Sequence, residues 1–302
     1  MNGAFPRDGW LLLFPPLFWA INSVVGRALA GHFPPIALSF SRWSLAFLIL
    51  LPFALGVMRG QGSVLRRHWP ALLALSLLGV GLYNSLLYTA LITSQPVNVL
   101  LIGATAPSFV LLAEAALARR LPDWRAVLAT LLSIGGVLAV GTGGRLANLA
   151  HLQFAQGDLV MIVATLVWAA YTLVLKRARP PMPMAPLLLV QIGVGAVLLL
   201  PAFLVEWLVF QPVMRLDGQV AASLVYVAIF PSILAYLCWD RGVAAAGAQV
   251  AVVLANLTPI LAALLAWLFL GEAIGPQHLI AAAMIFTAIR LATAAPKEAL
   301  AS

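Results

Sequence analysis

Ten runs of apolar residues, each about as long as a bilayer is thick, occupy most of this chain. A helix needs roughly 20 apolar residues to cross the hydrocarbon. The runs are Trp10–Leu29, Ala37–Val57, Trp69–Ile92, Pro96–Ala118, Trp124–Gly141, Gly157–Leu175, Pro186–Leu208, Val220–Cys238, Ala246–Leu270 and Pro276–Thr293. Turn-forming clusters separate them: Gly31 to Pro35, Gly60 to Gly62, Pro122-Asp123, Gly141 to Gly144, Arg179 to Pro183, Pro212 to Gly218 and Gly271 to Pro276. Only 9% of residues are charged and 63% are hydrophobic. A soluble domain carries about 25% charged residues, so this chain cannot cover a water-facing surface. The first run is too long for a removable signal peptide and predicts a retained helix. Cys238 is the only cysteine, which excludes an intrachain disulfide.

The net charge of +8 is not a nucleic-acid patch, because the basic residues sit in short loops. One side collects Arg7, Arg59, Arg66, Arg67, Arg119, Arg120, Arg125, Lys176, Arg177, Arg179, Arg241, Arg290 and Lys297. The other has Arg27, Arg145 and Arg215, with Arg42 just inside the second run. That division, 13 of 17, places both termini in the cytoplasm by the positive-inside rule.

The chain repeats itself. Trp19-Ala20-Ile21-Asn22 returns as Trp168-Ala169-Ala170-Tyr171, 149 residues on. At that spacing Arg27 falls on Lys176, Pro34 on Pro183, and Leu50-Leu51-Pro52 on Leu199-Leu200-Pro201. Pro107 and Pro259 also correspond, 152 apart, in the fourth and ninth runs, whereas the third and eighth align poorly. Five runs per half is an odd number, so the second copy enters the membrane upside down. The expected fold is all-α, ten transmembrane helices as two inverted-topology five-helix repeats. Residues 1–143 form the first repeat, 144–156 the connecting loop and 157–302 the second.

Trp10, Trp69, Trp124, Trp207 and Trp267 suit the interfacial belt. Trp19 and Trp168 lie about ten residues from either end of their runs. They either fill a helix contact or face a path, and their symmetric placement beside polar residues favours the path. Asn22 and Tyr171 share the face of their tryptophan. Tyr83, Asn84 and Tyr88 put polar groups in the third run, where they need another helix or water. Gln249 and Asn256 share one face of the ninth. Trp19, Asn84, Tyr88, Trp168, Tyr171 and Asn256 are expected to border one mid-membrane cavity. Pro107 and Pro259 each remove a backbone hydrogen bond and read as a static kink or a hinge. The small residues Ser133, Gly135, Gly136 and Ala139 of the fifth run, with Ala281 to Ala283 and Ala288 of the tenth, predict close packing.

Absence also informs. No acidic residue is expected at the centre of a run: Glu114, Asp158 and Asp240 read as helix-end residues and Glu272 as a loop residue. His32, His68, His151 and His278 fall in loops or at ends. There is no metal spacing, phosphate loop or nucleophile–base set, so the chain reads as no enzyme, with no cofactor. A proton-coupled multidrug or metabolite pump would want a mid-depth carboxylate. A scaffold that transports nothing would not need symmetric polar faces.

Ten helices in two inverted repeats, a Trp-Ala pair opening each, and Pro-centred fourth and ninth helices resemble the drug/metabolite transporter superfamily. Leu270-Gly271-Glu272 is similar to that family's Leu-Gly-Glu after the ninth helix. The first half departs from it with Ala118-Arg119-Arg120. Within the superfamily the chain most resembles EamA-type, YddG-like bacterial aromatic amino-acid exporters. The resemblance implies a monomeric, multi-pass inner-membrane exporter that works by alternating access around a large central cavity. It also implies helices one to four and six to nine as a basket, braced by five and ten. The substrate would be an aromatic zwitterion, bound without fixed charge and carried facilitatively.

Overall fold

The computed structural model describes residues 6–29, 33–94, 96–151, 155–210, 217–270 and 274–294, and is entirely helical within them. Arg215, Gly271, Glu272, Lys297 and His32 lie outside these residues. A 3-10 turn at Arg7–Leu13 leads into α1, Phe14–Leu29. There follow α2 Pro35–Met58, α3 Trp69–Thr93, α4 in two pieces (Pro96–Gly103 and Ala106–Ala118) and α5 Trp124–Gly141. The second half has α6 Gln156–Ala178, α7 Met184–Phe210 and α8 Gly218–Ala246. It ends with α9, again in two pieces (Ala248–Ala255 and Thr258–Leu270), and α10 Pro276–Ala294. Among the described residues, eight helices are long and apolar enough to cross a membrane. This is an all-helical membrane protein.

Local chemistry sets the boundaries. Pro35 opens α2, where its missing N–H costs nothing. Asp123 caps α5 by accepting from the Arg125 N–H (2.7 Å), and Asp217 caps α8 through the Val220 N–H (2.8 Å). Gly247, at φ +91°, turns the chain between α8 and α9, a conformation that favours glycine. The eighth apolar run ends at Cys238, with Asp240 read as a helix-end residue. The helix instead runs on to Ala246, which moves Asp240 well inside it.

Two irregularities recur in both halves. The middle of α3 is π-helical at Ser76–Leu82, and the middle of α8 at Ile229–Leu234. The breaks in α4 and α9 fall just before Ala106-Pro107 and Thr258-Pro259. Each proline therefore stands in the first turn of a new helical piece, and the interruption precedes it. The third and eighth runs, which align poorly by residue type, thus correspond in backbone form.

Packing repeats the same exchange. α2 lies against α7, and α5 against α10. The contact of α3 with α6 is matched by α8 with α1; that of α4 with α6 by α9 with α1; that of α3 with α7 by α8 with α2. These pairs exchange when each helix is replaced by its mate five along, whereas the contacts of α6 with α8 and of α9 with α5 have no counterpart of like extent. Outward-facing Leu48, Phe53, Leu131, Val209 and Phe286 are exposed, as lipid-facing residues would be.

The α5–α10 contact is as close as its small residues predict. A Cβ placed on Gly136 would stand 2.7 Å from Ile285 Cγ1 and 3.1 Å from the Ala281 carbonyl oxygen. Gly136→Val is expected to overpack this seam and cost about 1–3 kcal/mol. The readout is a lower unfolding temperature in detergent; an unchanged one would show that α10 can move aside freely.

Candidate functional site

Trp168, on α6, is the hub of an aromatic cluster where four helices meet. Its ring lies 5.3 Å from Trp19 (α1), 4.7 Å from Tyr83 (α3), 5.2 Å from Tyr171 (α6), 5.9 Å from Tyr236 and 5.1 Å from Trp239 (both α8), between centroids. Trp19 also reaches Trp239 at 5.3 Å, and Trp43 of α2 meets Tyr236 edge-on at 5.2 Å. Such pairs add about 0.5–1.5 kcal/mol each beyond area burial. The other five tryptophans (10, 69, 124, 207 and 267) are 46–64% exposed, as an interfacial belt requires.

Polar groups bracket the cluster. Arg42 of α2 is 1% exposed, although it reads from sequence as a residue near a helix end. Its guanidinium donates to Ser232 Oγ (2.8 Å), Asn84 Oδ1 (2.9 Å), Tyr88 Oη (2.8 Å) and the Pro231 carbonyl (3.2 Å). Every one of these acceptors is neutral. The π-helical stretch of α8 explains two of them, since irregular winding presents Pro231 O and Ser232 to α2. Tyr236 donates to the Gly79 carbonyl (2.6 Å), in the matching stretch of α3. Asn84 Nδ2 reaches Tyr236 Oη at 3.5 Å.

On the other flank, Tyr171 is fully buried and its hydroxyl is shared between Gln191 Oε1 (3.2 Å) and Asp240 Oδ1 (3.1 Å). Asp240 is also fully buried. This corrects the reading of Asp240 as a helix-end residue: α8 runs on to Ala246 and the carboxyl group is buried. The cause is the longer α8: Asp240 finds Tyr171 in the interior and does not have to end the helix. Asp240 Oδ2, Gln191 Nε2, Asn22 Oδ1 and Trp239 Nε1 are buried with no hydrogen-bond partner. Buried polar atoms are rarely left so, and unmet groups clustered around aromatic rings are what a binding site offers a ligand.

Asn22 is buried one turn beyond Trp19 on α1, and Trp19, Tyr83, Asn84, Tyr88, Trp168 and Tyr171 come together around the cluster or its Arg42 flank. Gln249 and Asn256 do not. Gln249 donates to Thr130 Oγ1 of α5 (2.9 Å) and lines a small pocket with Glu114, Arg120 and Asp123. Asn256 donates to Ser133 Oγ of α5 (2.8 Å) and to the Ala104 carbonyl (3.2 Å). The break in α4 frees that carbonyl, because the Ser108 N–H turns to Thr105 instead. Both residues tie α9 to α5 and do not share the aromatic site. Sequence reasoning also missed Arg42, Gln191, Tyr236, Trp239 and Asp240. The repeat held the signal: at the 149 spacing Arg42 falls on Gln191, and at 152 Asn84 falls on Tyr236 and Tyr88 on Asp240.

Asp158, Glu206 and Glu114 are structural ties. Asp158 accepts from the Ala155 N–H (2.8 Å), Asn98 Nδ2 (3.0 Å) and Ser94 Oγ, joining α3, α4 and α6. Glu206 accepts from the Ile36 (3.1 Å) and Ala37 (2.6 Å) N–H groups, capping α2 from α7. Glu114 pairs with Lys176 at 2.6 Å, between α4 and α6. No metal-holding group of three His, Cys, Asp or Glu is found among the described residues.

Comparison with known proteins gives the family and the fold. The profile of the EamA-like transporter family matches twice, over residues 9–142 and 155–294. The uncharacterized transporter YyaM of Bacillus subtilis is 26% identical, covering 83% of this chain and 82% of its own. An uncharacterized transporter of Archaeoglobus fulgidus is 26% identical over 87% and 89%. A probable terminal-alkyne amino-acid exporter of Streptantibioticus cattleyicolor is 25% identical over 93% and 92%. A solved crystal structure, 22% identical, superposes with a TM-score of 0.74 over 94% of each chain, which bears on the fold alone.

Proposed function

The chain belongs to the EamA-like transporter family, and on that premise we propose that it exports aromatic amino acids and related small metabolites. It is a multi-pass membrane transporter, not an enzyme. The observation that carries the proposal is the aromatic cluster centred on Trp168, built from both halves and bordered by unmet polar groups. Stacked rings recognise a ring, and polar groups at its edges recognise the amino-acid end. The probable terminal-alkyne amino-acid exporter among its relatives supports an amino-acid substrate.

In this reading the two halves are inverted repeats that rock about the cluster and expose it to either side in turn. The helix pairs that exchange support this, and the α4 and α9 breaks before Pro107 and Pro259 are the natural hinges. The excess of basic residues in the loops of one side supports both termini in the cytoplasm of a bacterial cell, at the inner membrane. One chain holds the whole site, so a monomer suffices.

The test is counterflow in proteoliposomes. Unlabelled phenylalanine or tryptophan inside, at equal pH on both sides, is expected to drive transient accumulation of the labelled compound several-fold above empty vesicles. Absence of exchange with either compound sinks the proposal. Asp240 favours a second reading, a pump coupled to protons. A pH gradient imposed on the same vesicles separates the two: a facilitator responds little, and a coupled pump concentrates substrate.

A further inference from the structure

The repeat has diverged in charge at its centre. Arg42 and Gln191 are mates at the 149 spacing that aligns Trp19 with Trp168. Tyr88 and Asp240 are mates at the 152 spacing of the two prolines. The backbone acceptors correspond as well: Pro231 O receives Arg42, and its mate Gly79 O receives Tyr236. Each half thus builds the same kind of flank to the aromatic cluster. One flank holds a guanidinium where its mate is an amide, and the other a carboxyl group where its mate is a phenol.

Neither charge is ion-paired. Four guanidinium N–H bonds of Arg42 go to neutral oxygens, and a guanidinium has five. Asp240 receives one neutral hydroxyl on Oδ1, and Oδ2 has no partner. Arg179 is within electrostatic reach of Asp240, but its guanidinium donates to the Met182 carbonyl (3.3 Å) and Met184 Sδ (3.1 Å). Tyr236 stands between the charges: Asn84 links it to Arg42, and it lies one helical turn from Asp240 on α8. Buried charge is costly unless it is paired. One flank has no anion bonded to Arg42, and the other no donor on Asp240 Oδ2.

We infer that the site selects zwitterions and holds them in one orientation, carboxylate toward Arg42, ammonium toward Asp240 and the apolar group on Trp168. The inference rests on the proposal that this cluster is the transport site. A substrate with both charges completes both flanks. An amine leaves Arg42 unmatched and is repelled by it; a carboxylate does the same at Asp240.

The experiment uses the full chain purified in detergent, with ligand affinity read from the concentration dependence of the unfolding temperature. The probes are phenylalanine, phenethylamine and 3-phenylpropanoate, together with tryptophan, tryptamine and indole-3-propanoate. In the wild type each zwitterion is expected to bind at least tenfold more tightly than either of its single-charge analogues. Asp240→Asn, nearly isosteric, should reverse the order in favour of the carboxylates. Zwitterions that bind the wild type no better than their analogues overturn the inference and leave the transport proposal standing. Binding by amines or carboxylates alone overturns the zwitterion class. Failure of all six to bind overturns this inference and the aromatic amino-acid reading together.

Discussion

Trp168→Ala is expected to lower counterflow by at least about tenfold, and this is the largest single effect in the protein. The ring touches five others, contributed by α1, α3, α6 and α8, and is 5% exposed. Truncation removes the surface on which the proposed substrate stacks and leaves a void that these helices cannot fully close. Trp→Ala in a packed interior costs about 3–5 kcal/mol, so folding and transport must be read separately. Monodisperse elution and helical circular dichroism establish the fold; counterflow in the same preparation then reports the site. Trp168→Phe should recover much of the stability and part of the transport, because a ring remains. Trp207→Ala is the control: that side chain is 46% exposed on the outer face and takes no part in the cluster. Unchanged transport in folded Trp168→Ala protein would show that the rings are only packing.

Arg42→Met should have the second-largest effect. The substitution keeps a long apolar stem but abandons Asn84 Oδ1, Tyr88 Oη, Ser232 Oγ and the Pro231 carbonyl at once. Each buried acceptor left unpaired costs about 1–3 kcal/mol. Relief from burying an unpaired cation offsets part of this, so a net loss of about 3 kcal/mol is expected. Arg42→Lys keeps the charge, but one ammonium cannot span four acceptors on two other helices. It should recover less than half of the lost unfolding temperature. Transport should fail in both variants, because the flank facing the aromatic cluster loses its shape. If Arg42→Met melts at the wild-type temperature, the guanidinium network is not holding α2, α3 and α8 together.

Several features were legible before any coordinates. Apolar runs of bilayer length gave the helices, because backbone in hydrocarbon must satisfy its own hydrogen bonds and has few forms in which to do so. The Trp19/Trp168 pair was legible because two copies of one plan place like residues at like depth. The α5–α10 seam was legible because only small residues let helix backbones come that close. The helix-face argument grouped Trp168 with Tyr171, whose rings stack 5.2 Å apart, since residues three apart share a face whatever surrounds it.

Which way each face turns was a different matter. In a soluble helix the apolar stripe points to the core. In a membrane helix both lipid and protein interior are apolar, so composition does not set its rotation about its own axis. Gln249 and Asn256 share a face as their spacing requires, but that face meets Thr130 and Ser133 of α5, away from the cluster. Asp240 shows the same limit in depth. Beside Arg241 it looks like a helix end, and only the Tyr171 hydroxyl, 69 positions away in the chain, lets it sit fully buried. The sequence by itself determined the membrane class, the helices and the duplication, because these depend on residues near one another along the chain. Tertiary structure alone decided that a cation and a carboxylate flank the central rings, because a charge in the membrane is tolerable only where distant groups meet it.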